Sequence, residues 1–219
     1  AMPGLLLGTE RAKTLVRLAT GPLDSLARRE QQEAAALEAV RVAEATGEAE
    51  LRGHAARALG LALHRTCRYA QGESALRLAI DASRACGDRK GETGATGILS
   101  NLLIEQGRND EARELTERAI HLAQETGDRR SEASGICNLG VVSQSLSRLD
   151  EAREHFAQSL AINREIGNRM GEAVITMNLG IVALSQGRPA EALERYERTL
   201  SVARGIGNRN CESAAIGNM

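Results

Sequence analysis

From Asp128 to Gly167 apolar residues recur three and four positions apart. Ile136, Leu139, Val142 and Leu146 form one stripe, and Leu149, Ala152, Phe156, Leu160 and Ile166 form a second. That spacing puts each set on one face of an α-helix. Asp128 stands where a short acceptor caps the free N–H groups of the first helix, and Glu132 lies in its first turn, where the helix dipole favours an acid. Ser147-Arg148 interrupts the pattern, Asp150 and Glu151 open the second helix, and Gly167 follows it in the place of a left-handed C-terminal cap. These forty residues predict two antiparallel helices, A and B, joined by a tight turn.

The unit recurs. Gly47, Gly87, Gly127, Gly167 and Gly207 stand forty residues apart, and the last four open the strings Gly87-Asp88-Arg89, Gly127-Asp128-Arg129, Gly167-Asn168-Arg169 and Gly207-Asn208-Arg209. Gly107 and Gly187 occupy the A-to-B turn, and Pro189 begins a B helix, where its missing N–H costs nothing. A long period kept without insertion means one supersecondary unit repeated, each copy burying its apolar face against the next. The expectation is an all-α solenoid of helical hairpins with A-to-B turns near residues 67–70, 107–109, 147–149 and 187–189.

Residues 1–46 read as a degenerate N-terminal capping repeat, in which a short helix from about Thr9 to Ala19 is broken by Gly21-Pro22 before a long helix rich in Ala and Glu. Residues 47–207 hold four repeats, and 208–219 a partial helix A, read as a piece of a longer array or a single closing helix. Ala1 ahead of Met2 reads as a residue left from a tag. Gly60, Ser100, Gly140 and Gly180 in the A helices, with Ala112, Ala152 and Ala192 in the B helices, are expected at the helix crossings. There they would let backbones approach closely in place of bulky side chains.

Leu139-Gly140, Ser147, Ala152 and Phe156, with Leu179-Gly180, Gly187, Ala192 and Tyr196, resemble the tetratricopeptide repeat pattern at matching offsets. Asn138-Leu139-Gly140 and Asn178-Leu179-Gly180, within a forty-residue unit, are similar to the arrays of kinesin light chains, of spindle-orientation adaptors of the LGN/Pins type and of many bacterial regulators. The resemblance covers roughly residues 48–219. It departs from the family at the Trp-like position, held by Ala56, Thr96, Ile136 and Thr176, and in lacking the Pro after helix B. It implies a right-handed superhelix whose A helices line a concave groove for a partner's peptide. The groove candidates are then Arg57 and Arg65 in a basic first third, followed by Asn101, Asn138, Val141, Gln144, Met177, Asn178 and Ile181. Asn138 and Asn178 lead, because an amide offers a peptide backbone both a donor and an acceptor. The other use of each amide is to satisfy a neighbouring helix.

Charge narrows the partners. With 28 basic against 29 acidic residues and a net charge of -1, no broad field draws the chain to nucleic acid or to an anionic membrane. Tyr69, Phe156 and Tyr196 are the only aromatic residues, too few for a base-stacking platform. No apolar stretch approaches the roughly twenty residues that span a bilayer. Cys67, Cys86, Cys137 and Cys211 show no close pairing and read as buried thiols rather than disulfides, in a reducing, cytoplasmic compartment.

Arg89, Arg129, Arg169 and Arg209 each have a Glu three residues on, a spacing that reads as an ion pair stapling the repeat rather than as an anion ladder. His64 and Cys67 could offer two ligands from one helix, but no further ligands are placed, so no metal is expected. Neither a nucleophile with its base nor a phosphate-cradling glycine loop is present, and neither catalysis nor a cofactor is expected. The favoured reading is a scaffold that binds a peptide segment of a partner protein, within a larger regulator. Two others stand beside it: self-assembly as a homodimer through the C-terminal end, and a regulatory domain of a multidomain ATPase or kinase.

Overall fold

The computed structural model describes residues 3–21 and 26–219, with side chains described at 8–21 and 29–219. Ala1, Met2 and Pro22, on which two of the expectations fall, lie outside the described residues. Among the described residues there are helices and no strand: α1 (Pro3–Thr20), α2 (Leu26–Thr46), α3 (Ala49–Arg65), α4 (Tyr69–Cys86), α5 (Arg89–Glu105), α6 (Asn109–Glu125), α7 (Arg129–Ser145), α8 (Leu149–Glu165), α9 (Arg169–Ser185), α10 (Pro189–Gly205) and α11 (Arg209–Asn218). The A-to-B turns occupy 66–68, 106–108, 146–148 and 186–188. Helix α1 starts at Pro3, ahead of the expected Thr9. Leu146 and Ile166, expected within the buried stripes, are instead the C-caps of α7 and α8.

The chain forms two compact units, residues 1–108 and 109–219. In the first, each helix from α1 to α5 packs on the next, and α3 also touches α1 and α5. In the second, each helix from α6 to α11 does the same, with α9 also against α11. The cores differ in material. Ala12, Ala39, Ala43, Leu51 and Ala55 form one cluster of the first unit, whereas Phe156, Leu160, Ile175, Leu179 and Val182 meet in the second.

The Gly-Asp/Asn-Arg string joins consecutive repeats through three functions. Gly167 has φ 66°, a left-handed backbone that glycine adopts without strain. That turn aims the Asn168 N–H back at the Asn163 carbonyl, 2.8 Å away, closing α8. The Asn168 side chain then accepts from the Gly171 N–H at 3.2 Å, capping α9. Asp128 repeats both bonds between α6 and α7, to Ala123 at 2.8 Å and from Ser131 at 3.1 Å.

The arginine of the string reaches the acid three residues on, at 2.5 Å for Arg129–Glu132 and 2.6 Å for Arg169–Glu172. These acids are buried, so a single partner would leave their remaining oxygen lone pairs unsatisfied. The preceding B helix supplies the second partner: Arg84 to Glu92 at 3.2 Å, Gln124 to Glu132 at 3.0 Å and Arg164 to Glu172 at 3.3 Å. Each buried acid thereby ties helix B to the next helix A.

The glycines at the crossings correct the expectation that close backbones replace bulky side chains. A Cβ at Gly140 would come 2.6 Å from Phe156 Cε1, one at Gly180 2.6 Å from Tyr196 Cε1, and one at Gly60 2.5 Å from Leu76 Cγ. Each glycine is a socket for a large side chain sixteen residues further on. At Ser100, where the A position already carries a side chain, the residue sixteen further on is the smaller Thr116.

Candidate functional site

Helices α7 and α9 of the second unit present Asn138, Val141, Gln144, Met177, Asn178 and Ile181 on one face, all half-buried. Their depth follows from the helix period. Val141 packs against the cluster of Ala152, Phe156 and Leu160, and Met177 and Ile181 pack against Ala183, Ala192 and Tyr196. One side of each apolar chain is held by the core while the other stays open, which makes a firm apolar floor.

The amides divide. Asn178 Nδ2 donates to Cys137 Sγ at 3.8 Å, a weak bond that links α9 to α7 and leaves the amide oxygen of Asn178 unused among the described residues. Asn138 and Gln144 make no side-chain hydrogen bond among the described residues. Burial pushes the Cys137 thiol up to about 12, and the Asn178 amide pulls in the opposite direction. The group beneath this face is therefore a protonated, neutral thiol at physiological pH. Cys137 is not among the groove candidates read from the sequence, although it stands one residue before Asn138 and one period before Met177.

The remaining candidates belong to the first unit. Asn101 is half-buried on α5. The Arg57 guanidinium lies over α5, 2.9 Å from where a Cβ at Gly94 would stand. Arg65 donates from Nη1 to Gln32 Oε1 at 3.3 Å, and the buried Gln32 in turn donates to the Gly21 carbonyl at 2.7 Å. Desolvation lowers the Arg65 pKa and Arg29 adds to the shift, so this side chain is engaged towards α2. His54 Nε2 lies 3.0 Å from Asp88 Oδ2, and His64 Nε2 3.0 Å from Glu105 Oε2. The basic third thus makes much of its contact within its own unit.

Two cavities open on the B-helix side. One of about 510 Å³ lies between α2 and α4 over α3, lined by Leu37, Val40, Leu59, Gln71, Ala75 and Leu78 among others. The other, about 330 Å³, lies between α8 and α10 over α9, with Leu160 and Leu179 at its floor and Arg153, Arg164 and Arg195 around it. They are the same place in the repeat, three periods apart: Val40 corresponds to Leu160, Leu59 to Leu179 and Gln71 to Glu191. Among the described residues no group of three His, Cys, Asp or Glu side chains could hold a metal ion, and no helix is long and apolar enough to cross a membrane.

The hairpins, the left-handed glycine cap and the glycine socket opposite an aromatic residue define the repeat, and residues 131–205 match the family described as Tetratricopeptide repeat. Residues 131–205 are tetratricopeptide repeats. Among solved structures, the TPR-like repeats of a kinesin light chain from Podosopora anserina are similar at a TM-score of 0.69 and 14% identity, covering 94% of this chain and 99% of that one. Aspartyl phosphate phosphatase F from Bacillus subtilis is similar at a TM-score of 0.78 and 12% identity, covering 97% of this chain and 56% of that one.

The Rap conjugation gene regulator of plasmid pLS20, solved in complex with the Phr* peptide, is similar at a TM-score of 0.74 and 15% identity, covering 97% and 56%. The chain therefore spans a little over half the length of the last two. At these identities the likeness is one of fold. Comparison with curated proteins returns no match. In TPR terms, α7 and α9 are A helices, and the two cavities lie between successive B helices.

Proposed function

We propose that this TPR chain is a protein-interaction scaffold that holds a peptide segment of a partner against the A-helix face of α7 and α9, within a larger cytoplasmic regulator. The observation that carries the reading is the pairing of an apolar floor with unspent amide capacity. Val141, Met177 and Ile181 are half-buried, and beside them Asn138, Gln144 and the amide oxygen of Asn178 have hydrogen-bonding capacity left over. A peptide needs both: apolar contact for affinity and donors and acceptors for its backbone. The Rap regulator solved with its peptide adds support from the same fold. The tetratricopeptide match indicates no catalytic family, and the phosphatase resemblance is one of fold.

The test is a pull-down from the source organism, peptide mapping of the captured partner, and fluorescence anisotropy with the mapped segment. Each hydrogen bond from a side-chain amide contributes about 0.5 to 1.5 kcal/mol net, so Asn138→Ala with Asn178→Ala should weaken binding roughly tenfold. Affinity carried by apolar contacts and amides should change little between low and physiological salt. Unchanged affinity in the double variant would remove the A-helix face as the site.

A further inference from the structure

We infer that the cleft between α8 and α10 is a second docking site, for a partner segment carrying an apolar side chain next to an acidic one. The repeat supplies its own internal control. Residues 33, 73, 113 and 153 occupy one position at forty-residue intervals on successive B helices. Glu33 is paired with Arg68, Glu73 with Arg108 at 2.6 Å and Arg113 with Glu151 at 2.5 Å, so each bridges to the following repeat. Arg153 breaks the series.

The acid that corresponds to Glu151 is Glu191, and Arg188 and Arg195 of its own repeat hold it at 2.5 and 3.1 Å. Arg153 is exposed and makes no ion pair or hydrogen bond among the described residues. The bridge that joins α6 to α8 is thus missing between α8 and α10, where the 330 Å³ cleft opens over Leu160 and Leu179.

The missing bridge selects the occupant. Three guanidinium groups, from Arg153, Arg164 and Arg195, face two carboxylates, Glu154 and Glu191. Arg164 is held by Glu172 at 3.3 Å and Arg195 by Glu191, so among the described residues Arg153 is the uncommitted cation of the cleft and the exposed Glu154 beside it the uncommitted carboxylate. Of the two, Arg153 is the one whose counterpart in the preceding repeat, Arg113, takes an acid from the next repeat. A carboxylate there would complete the bridge that the other repeats make internally, with the bidentate geometry a guanidinium offers. An aliphatic or aromatic neighbour would cover the apolar floor. None of Asn138, Val141, Gln144, Met177, Asn178 and Ile181 lines this site, which does not depend on the A-helix reading.

The probe is a fluorescein-labelled peptide of alternating Leu and Glu, with Leu-Lys and Ser-Glu versions as controls, titrated against the full chain at low and physiological salt. Only the Leu-Glu peptide should bind, with backbone amide NMR shifts confined to residues 153–164, the surroundings of Leu179, and 191–195. Arg153→Glu should weaken it at least tenfold, Arg153→Lys by only a few-fold, and the Asn138/Asn178 double alanine variant not at all. Affinity should fall as salt rises.

Shifts centred on α7, around Asn138 and Val141, or equal binding by Arg153→Glu with circular dichroism unchanged, would overturn the proposal. So would equal binding of the Leu-Lys or Ser-Glu peptide. Because the shift map is recorded on the unsubstituted chain, it decides the matter even if a variant fails to fold. A dimer that sedimentation detects and Arg153→Glu dissociates would show a second copy in the cleft and overturn the peptide assignment.

Discussion

The two units build the same cleft from different chemistry. Between α2 and α4 the lining is largely aliphatic, with Leu37 and Leu78 exposed, whereas between α8 and α10 the corresponding region carries Arg153, Arg164 and Arg195. Three periods before Arg164 and its partner Glu172 stand Glu44 and Arg52, the same pair of signs reversed. The backbone lattice sets where a cleft falls, because helix spacing repeats with the period. Side chains on exposed positions are free of packing constraints and set what each cleft prefers. The thiols divide along the same line, against the expectation that all four are buried: Cys67 and Cys86 are exposed in the first unit, while Cys137 and Cys211 are covered to differing degrees in the second.

The largest contrast is expected in those thiols. A pKa of about 12 against an ordinary 9.0 leaves Cys137 with on the order of a thousandfold less thiolate at pH 8. Burial raises Cys211 in the same direction. Iodoacetamide should modify Cys67 and Cys86 at least about a hundredfold faster than Cys137, as read by peptide mass spectrometry. Equal rates would mean that the α7–α9 face opens readily in solution and that its firm floor is a misreading.

Next in size is the response of the sockets. Gly140→Leu should cost about 3 kcal/mol in urea unfolding, since an aromatic ring has little freedom to yield, and Gly60→Ala about 1 kcal/mol, since Leu76 can change rotamer. Phe156→Leu in the Gly140→Leu background should recover part of the loss, a coupling that independent sites do not show. Hydrogen exchange should rise first in the second unit for Gly140→Leu and in the first for Gly60→Ala. Exchange that rises uniformly in both variants would replace two regional cores by one cooperative core.

A smaller effect should appear at acid pH. Burial pushes the Glu172 carboxyl up, but the Arg164, Arg169 and Arg198 guanidinium groups outweigh it, and the pKa ends below its ordinary 4.5. A carboxyl lowered by folding contributes stability above its unfolded pKa and loses it as pH falls through the folded value. The unsubstituted chain should therefore lose stability below about pH 4. Glu172→Gln should cost about 1 to 2 kcal/mol at pH 7, discounted because all three arginines are partly exposed, and should flatten the acid limb. An acid limb unaltered by Glu172→Gln would assign the acid sensitivity to other carboxyls.

Much of this architecture was legible in the chain. Period, helix pairs, caps and turns depend on near neighbours, so the apolar stripe of α7, the Asp128 cap and the glycine at φ 66° each follow from a few adjacent residues. The turns came one residue early because local signals fix a turn's presence better than its edges. For the candidate site, offset arithmetic puts Asn138 and Asn178 on one helix face. It could not reveal that Asn178 reaches Cys137 or that Arg65 turns to Gln32, since both choices depend on rotamers set by another helix.

By itself, then, the sequence determined the repeat, because forty-residue periodicity and capping chemistry act locally. Tertiary structure alone decided the partners. It made Gly140 a socket for Phe156, added Arg164 and Arg198 to the Arg169 that spacing already pairs with the buried Glu172, and left Arg153 without an acid among the described residues. Those outcomes turn on which of several residues at hydrogen-bonding reach captures a given charge, and on where a ring edge meets a missing Cβ. Distances between helices settle such contests, because spacing along the chain narrows a contact to an offset without fixing the rotamer that makes it.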